Sequence, residues 1–190
     1  MEMMIKGKLI SLREITSKDT EGILSWRNKL RVRRNFIYQE LLTREVHENW
    51  LNTMVFSKKA VQFVIMDNAT GLGVGSVYLR DINTVHKKAE YGIFIGEDNA
   101  VGRGYGTEAC KMICEYGFRK LGLHKIFLRV LESNTRAIRS YEKSGFRREA
   151  LLIDDVFIEG GYCNVILMAK FEQCVIMVPR ISQRNGARRA

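Results

Sequence analysis

The feature that most constrains the fold is a glycine-rich loop, residues 101–109 with the sequence VGRGYGTEA, between a strand-like run, Lys88–Ile95, and a helix-like run. Three glycines at alternate positions, Gly102, Gly104 and Gly106, let a backbone lie against a ligand because no Cβ intervenes. The unpaired N–H groups of a helix N-terminus follow directly. Loop and helix start together predict a site for a phosphate or pyrophosphate. A glycine turn that only starts a helix is the structural alternative.

A helix, a second strand and a longer polar pattern follow the loop. Small and apolar residues recur at helical spacing and predict one buried helix face: Cys110, Ile113, Cys114, Gly117, Phe118 and Leu121. Residues 125–131 alternate in the manner of a strand. The pattern Asn-x-x-Ala-x-x-x-Tyr-x-Lys-x-Gly-Phe then runs from Asn134 to Phe146.

The glycine loop and this pattern, about thirty residues apart, together resemble the GNAT superfamily of acetyl-CoA-dependent N-acetyltransferases. The resemblance covers roughly residues 5 to 171. It implies an α/β fold of the α+β type, in which a central, mostly antiparallel, twisted sheet is splayed at the cofactor site and flanked by helices. The sequence departs from the family pattern at Val101, where Gln or Arg is usual; the arginine of this loop is Arg103.

The resemblance also implies which residues bind acetyl-CoA. Backbone amides of the loop would bind the pyrophosphate, and the pantetheine arm would lie along the strand that ends at Phe94 and Ile95. Gly92 and Gly96 fit a distorted strand there. Asn134 would hydrogen-bond the arm, cap the following helix, or do both. The cofactor-binding residues expected are Phe94, Ile95, Gly102, Arg103, Gly104, Tyr105, Gly106, Thr107 and Asn134.

Two residues are candidates for catalysis. By resemblance, Tyr141 would protonate the coenzyme A thiolate; the alternative is a helix tyrosine packed on the sheet. Glu90 is the best-placed acid for a general base, because it lies on the strand before the loop and on the same face as Gly92 and Phe94. A structural Glu90, with a water chain as the base, is the other interpretation. Proton removal matters because an amine of pKa about 10 is mostly protonated at neutral pH.

The acceptor is less constrained. Trp26 and Arg27 resemble the start of the acceptor side in relatives that acetylate nucleotide-linked amino sugars, and Arg27, Arg31 and Arg33 can pair with a diphosphate. The run Ala89 to Ile93 also resembles relatives that acetylate ribosomal protein N-termini or polyamines.

The polyamine alternative for the acceptor has a requirement of its own. A polyamine site needs an acidic cluster, and Asp154, Asp155 and Glu159 form the one cluster in the sequence. A non-catalytic domain that senses acetyl-CoA is the alternative outside enzymes. The expected partner is a small-molecule amine or a peptide N-terminus. A homodimer is possible, and the sequence does not decide the oligomeric state.

The rest of the chain predicts one domain in the order β-α-α-β-β-β-α-β-α-β-β. The first strand is expected over residues 7–15, and the domain over residues 1–172. Residues 173–190 lose this pattern and are expected to be a basic, disordered tail, with four arginines and no acid, which is four of the net charges of +10. A dinucleotide-binding fold is disfavoured, because its glycine loop would follow the first strand.

Composition excludes several classes. No apolar run is long enough to span a bilayer, and residues 1–6 lack the apolar stretch of a signal peptide, so we expect a cytoplasmic protein without a membrane role. The four cysteines include no C-x-x-C pair, so we expect free thiols and no metal site. No basic helix or recognisable module predicts a direct nucleic-acid role.

Overall fold

A computed structural model describes residues 3–172 and contains eight strands in one mixed sheet. The strands are β1 (Met4–Lys6), β2 (Ile10–Glu14), β3 (Val61–Asp67), β4 (Gly73–Asn83), β5 (Lys88–Ile95), β6 (Lys125–Leu131), β7 (Arg147–Ile158) and β8 (Gly161–Phe171). The helices are α1 (Thr20–Arg27), α2 (Leu30–Arg33), α3 (Arg44–Trp50), α4 (Tyr105–Leu121) and α5 (Thr135–Lys143). A π-helical turn, Leu51–Val55, extends α3. None of the helices in residues 3–172 has both the length and the apolar character needed to cross a membrane.

The strand order is β1-β2-β3-β4-β5-β6-β8-β7, and only the β5–β6 pair is parallel. Parallel neighbours need a crossover connection, and here α4 provides it between β5 and β6. All other adjacent pairs are antiparallel. The predicted α/β fold with a mostly antiparallel sheet is therefore confirmed.

The sheet opens between β5 and β6. These strands pair only from Lys88 to Glu90 on β5. Beyond Glu90, β5 continues to pair with β4 as far as Ile95, whereas β6 pairs with β8 along its whole length. The edge of β5 that faces β6 therefore has no strand partner from Tyr91 to Ile95. This is the predicted splay.

The start of the chain differs from the prediction of one strand over residues 7–15. Two strands, β1 and β2, form a hairpin with Met4 opposite Arg13. Gly7 donates from its N–H to the carbonyl of Ile10 at 2.9 Å and closes the turn between them. A three-residue strand is too short to show alternation, so its sequence gave no signal. The predicted tail, residues 173–190, lies outside the described residues.

Helices cover both faces of the sheet. On one face, α4 buries Ile113 and Cys114 and α5 buries Ile138 in the larger core cluster. On the other face, Ile23 of α1 and Leu51 join a second cluster. The predicted inner face of α4 is confirmed, since Cys110, Ile113, Cys114 and Gly117 are all buried.

Gly92 and Gly96 have a different role from the one expected. The β4–β5 register is continuous at Gly92, which lies opposite Tyr78, so the strand is not bulged there. A Cβ at Gly92 would lie 2.2 Å from Cζ of Tyr78, and one at Gly96 would lie 2.1 Å from Cγ of Trp26. The two glycines therefore make room for aromatic rings that pack on β5 and just beyond its end.

We predict that Gly96→Ala lowers the free energy of unfolding by about 1–3 kcal/mol, because Trp26 must move to admit a methyl group. Gly161→Ala is the matched control, since a Cβ there approaches nothing closer than 4.0 Å. It should change stability by no more than about 0.5 kcal/mol. Urea denaturation of both variants measures the difference. Equal stabilities would contradict the packing role of Gly96.

Candidate active site

A cavity of about 640 Å³ follows the opening between β5 and β6. Its walls come from β5, the glycine loop, α5 and the segment 35–38. The loop and α5 lie at one end of the cavity. Glu90, Arg80 and Arg129 lie at the other end, beside the point where the two strands separate. One cavity therefore joins the loop to the fork of the sheet.

Two glycines of the loop adopt left-handed backbone conformations. Gly102 has φ +87° and Gly104 has φ +84°, values that residues with a side chain rarely adopt. Gly104 is the N-cap of α4, and its carbonyl accepts from Glu108 N–H at 3.0 Å. The amides of the first turn, including Gly106 and Thr107, have no carbonyl partner within the helix. They line the cavity and can bind an anion.

One face of α5 adds positive charge to the loop end of the cavity. Arg136, Arg139 and Lys143 recur at helical spacing and line the cavity, while Ile138 packs into the core. Thr107 and Ser140 join the two helices through their hydroxyl groups at 3.1 Å. Backbone amides and three cations therefore surround one space that suits a phosphorylated ligand.

Arg103 lies within the loop, but its side chain leaves the cavity. Its guanidinium lies 5.1 Å from the ring centre of Tyr105, and its Nη1 is 3.7 Å from Oδ2 of Asp67. Only the backbone of Arg103 can contribute to the predicted anion site.

Asn134, Phe94 and Ile95 line the cavity as expected. The side chain of Asn134 caps α5 by accepting from Ala137 N–H at 3.2 Å. Phe94 is buried and packs edge-on against Phe36, with ring centres 6.1 Å apart. Because the Phe94 ring faces the core, this part of β5 can serve a ligand through its main chain.

Tyr141 projects from α5 into the cavity and is half-buried. Its ring meets that of Tyr91 edge-on, with centres 5.8 Å apart, and contacts Phe146. Burial raises the pKa of the Tyr141 phenol well above its ordinary value, and the nearby Cys110 and Tyr78 add to the effect. Burial therefore favours the neutral phenol, which can donate a hydrogen bond.

Glu90 is held by two arginines. Its Oε2 accepts from Nη2 of Arg80 at 2.9 Å, and its Oε1 accepts from Nε of Arg129 at 3.1 Å. The Glu90 residue is buried, with 7% of its surface exposed. Because each oxygen already accepts a charged hydrogen bond, this geometry argues against a general base and favours a structural or positioning role.

Trp26 and Arg27 lie away from the position expected of acceptor residues, and neither lines the cavity. Trp26 is in the second core cluster and donates from Nε1 to Oε1 of Glu97 at 2.5 Å. Arg27 stacks on the Phe36 ring at 3.7 Å and donates from Nη2 to the carbonyl of Tyr38 at 2.6 Å. Both residues support the walls of the cavity from behind.

Two further features of the predicted acceptor side are Arg31 and the acidic cluster. Arg31 lines the cavity, but its Nε donates to Oδ1 of Asp98 at 2.7 Å. Asp154, Asp155 and Glu159 are exposed on β7 and the following turn, outside the cavity. In the described part of the chain, no group of three or more His, Cys, Asp or Glu side chains is placed to hold a metal ion.

Sequence reasoning missed the segment Phe36 to Tyr38 and the arginines Arg80 and Arg129. The two arginines do carry a signal, since each interrupts an apolar strand. Only the strand order, with β5 between β4 and β6, brings them together on Glu90.

Comparison with known proteins gives one family. The family described as the acetyltransferase (GNAT) domain matches residues 10–147. Spermidine N(1)-acetyltransferase of Escherichia coli K12 is 41% identical over 102 residues, which are 54% of each chain. The match thus spans about half the length of that relative. Spermidine N(1)-acetyltransferase of Vibrio cholerae is 33% identical over 137 residues, 70% of this chain and 73% of that protein.

A solved structure matches a larger part of this chain than the two sequence relatives do. The crystal structure of spermidine N-acetyltransferase from Vibrio cholerae in complex with CoA and spermine superimposes with a TM-score of 0.80 and 27% identity. It covers 87% of this chain and 96% of that chain.

We predict that Gly104→Ala weakens coenzyme A binding by at least about tenfold, because the strained residue displaces amide donors to a charged group. Gly122→Ala is the matched control. Gly122 caps the other end of α4 at φ +63°, with nothing within 4 Å of an added Cβ. Both variants should lose roughly 1–2 kcal/mol of stability. Calorimetric titration with coenzyme A distinguishes the two variants. Equal affinities of both variants for coenzyme A would contradict the anion site.

Proposed function

This chain belongs to the GNAT acetyltransferase family, and we propose that it transfers the acetyl group of acetyl-CoA to a primary amine. One observation carries this proposal. The glycine loop, the unpaired edge of β5 and the phenol of Tyr141 all face a single cavity.

Different parts of the cavity would bind different parts of acetyl-CoA. The amides after Gly104 and the cations Arg136 and Arg139 would hold the phosphates. The free edge of β5, from Tyr91 to Ile95, would pair with the amide-containing pantetheine arm in the way that a neighbouring strand would. The same N–H groups are fixed in place before the reaction and can stabilise an oxyanion.

The reaction is a direct transfer. The amine nitrogen attacks the thioester carbonyl carbon, the C–N bond forms, and collapse of the tetrahedral intermediate breaks the C–S bond. The nitrogen loses one proton and the thiolate gains one. Tyr141 would donate the proton to the sulfur and recover one from water.

Water is our proposed route for the proton that leaves the amine. At pH 7 only about one part in a thousand of an amine with pKa about 10 is neutral, so a proton acceptor is needed. Both oxygens of Glu90 are engaged by Arg80 and Arg129. A water chain leading out of the cavity meets the need without breaking these ion pairs.

The names of the relatives bear on the acceptor. They support a polyamine of the spermidine class better than a nucleotide-linked amino sugar. The amino-sugar interpretation also rested on Trp26 and Arg27, which lie behind the cavity wall. The N-terminus of a peptide is a further alternative. Spermidine is therefore the reference amine for an assay.

The proposal is tested by thiol release from acetyl-CoA with and without an amine. We expect release that depends on the amine and yields one acetylated amine per thiol. Tyr141→Phe should lower kcat by about 100-fold or more, since general acid catalysis contributes about this much. The dissociation constant of acetyl-CoA should stay the same.

The pH dependence adds a check. Because burial raises the pKa of Tyr141, the wild-type rate should show no loss near pH 10 from ionisation of this phenol.

Unchanged turnover in Tyr141→Phe would remove the residue from the mechanism. Acetyl-CoA binding without release for any amine would favour a sensor domain over an enzyme.

A further inference from the structure

We infer that the chain forms a homodimer in which the outer strand β7 of each copy lies antiparallel beside the β7 of the other. The inference goes beyond the proposed acetyl transfer and does not depend on it. It starts from the β7–β8 hairpin. Three features of this hairpin support it: exposed apolar side chains, an unpaired edge, and the order of the charges along β7.

The hairpin extends beyond the strand that supports it. β6 pairs with β8 from Val165 to Phe171. In the sheet formed by residues 3–172, residues 161–163 of β8 pair with β7 alone. A two-stranded hairpin by itself is only marginally stable in water, and a third strand or a packed surface stabilises it. A second copy of the chain would supply such a surface.

The hairpin also exposes large apolar side chains. Leu151 keeps 48% of its surface exposed, Ile153 74%, Phe157 64% and Tyr162 68%. The rings of Phe157 and Tyr162 meet edge-on, with centres 5.1 Å apart, and both stay exposed. Single exposed apolar residues are common in proteins, whereas a group of them on one element indicates an interaction surface.

β7 is the last strand on its side of the sheet that residues 3–172 form. An edge strand presents unpaired N–H and C=O groups, to which a strand of another chain can bond. Bulges at Glu149 and at residues 153–155 interrupt the ladder with β8. Bulges and charges are also the means by which many edge strands avoid such pairing. The signs of the charges distinguish these two roles.

The charges along β7 have a definite order. Arg147 and Arg148 begin the strand, and Asp154 and Asp155 lie beyond its middle. Arg148 is 3.4 Å from Glu142 of α5. Within residues 3–172, the exposed side chains of Arg147 and Asp155 have no ion-pair partner. The strand therefore carries unpaired positive charge at one end and unpaired negative charge further along.

A two-fold axis makes this order self-complementary. Such an axis relates the same surface of two copies, so two β7 strands across it run antiparallel. Arg147 and Asp155 are each four positions from Leu151. With the axis at Leu151, Arg147 lies beside Asp155 of the second copy, and each dimer contains this pair twice. Charges that only prevent pairing have no need to be complementary, so the pattern favours a specific dimer.

The overall charge makes the position of the acids informative. A net charge of +10 opposes association of the protein with itself. Asp154, Asp155 and Glu159 form an exposed acidic cluster on the hairpin, outside the cavity. The acidic cluster is therefore a surface that the basic start of a second β7 can approach.

The first test is the molar mass of the full-length wild-type protein, measured by sedimentation velocity over a range of concentrations. We expect a reversible dimer with twice the monomer mass of 21.9 kDa. A monomer at every concentration would overturn the inference.

Charge reversals locate the interface. Arg147→Asp and Asp155→Arg each place like charges opposite each other twice per dimer, so each should raise the Kd of the dimer by about tenfold or more. The double variant Arg147→Asp/Asp155→Arg exchanges the two charges and should restore the wild-type Kd. Lys120→Asp, on the exposed side of α4, is the matched control and should change the Kd by no more than about twofold.

A mixture of the two single variants tests the antiparallel arrangement. Each variant alone repels its own copy. The Arg147→Asp chain and the Asp155→Arg chain, in contrast, attract each other at both charge pairs. We expect the mixture to form a 1:1 dimer about tenfold tighter than either variant forms alone. No gain in affinity on mixing would overturn the two-fold arrangement.

Leu151→Glu tests the apolar centre of the interface. The side chain is exposed in a single copy, so the stability of the monomer to urea should stay the same. In the dimer two carboxylates would meet at the axis, and the Kd should rise by about tenfold or more. A dimer that Leu151→Glu and both charge reversals leave intact would show that the copies meet elsewhere and would overturn the inference. Thiol release from acetyl-CoA is measured separately, so neither result decides the proposed function.

Discussion

The structure depends on how briefly β5 and β6 pair. Parallel strands are joined here through α4, and the pairing ends at Glu90, after three residues. Each strand then keeps an antiparallel partner on its other side, so neither loses the stability of a ladder when the two separate. The separation leaves main-chain groups unpaired next to a helix N-terminus. Backbone donors that are normally consumed within a sheet thus become available to a ligand.

Glu90 lies at this fork. It is the last residue of β5 that pairs with β6, opposite Phe127. Its carboxylate reaches Arg80 on β4 and Arg129 on β6, so one side chain connects three adjacent strands where the sheet opens. Removing a single partner from such a buried set leaves an uncompensated charge, which is costly. The residue that connects the three strands at the fork therefore also holds Arg80 and Arg129 in place beside the cavity.

Local patterns predicted most of the fold and the loop end of the site. The strands β3, β5 and β6 and the inner face of α4 follow from alternation and helical spacing, and the glycine loop marks the start of α4 by itself. Trp26 was assigned to the acceptor side by resemblance, and the sequence alone does not show that its ring packs on Gly96. Arg80 and Arg129 are 49 positions apart in the sequence and meet only through strand order.

The central claim is that the free edge of β5 and the start of α4 bind the donor together. Amide hydrogen exchange, measured with and without coenzyme A, tests it directly. We expect slower exchange at residues 104–107 and at those amides of residues 91–95 that face the gap when coenzyme A is bound. The β6 amides that already bond to β8 should not change. Protection confined to the glycine loop, with residues 91–95 unchanged, would contradict the account.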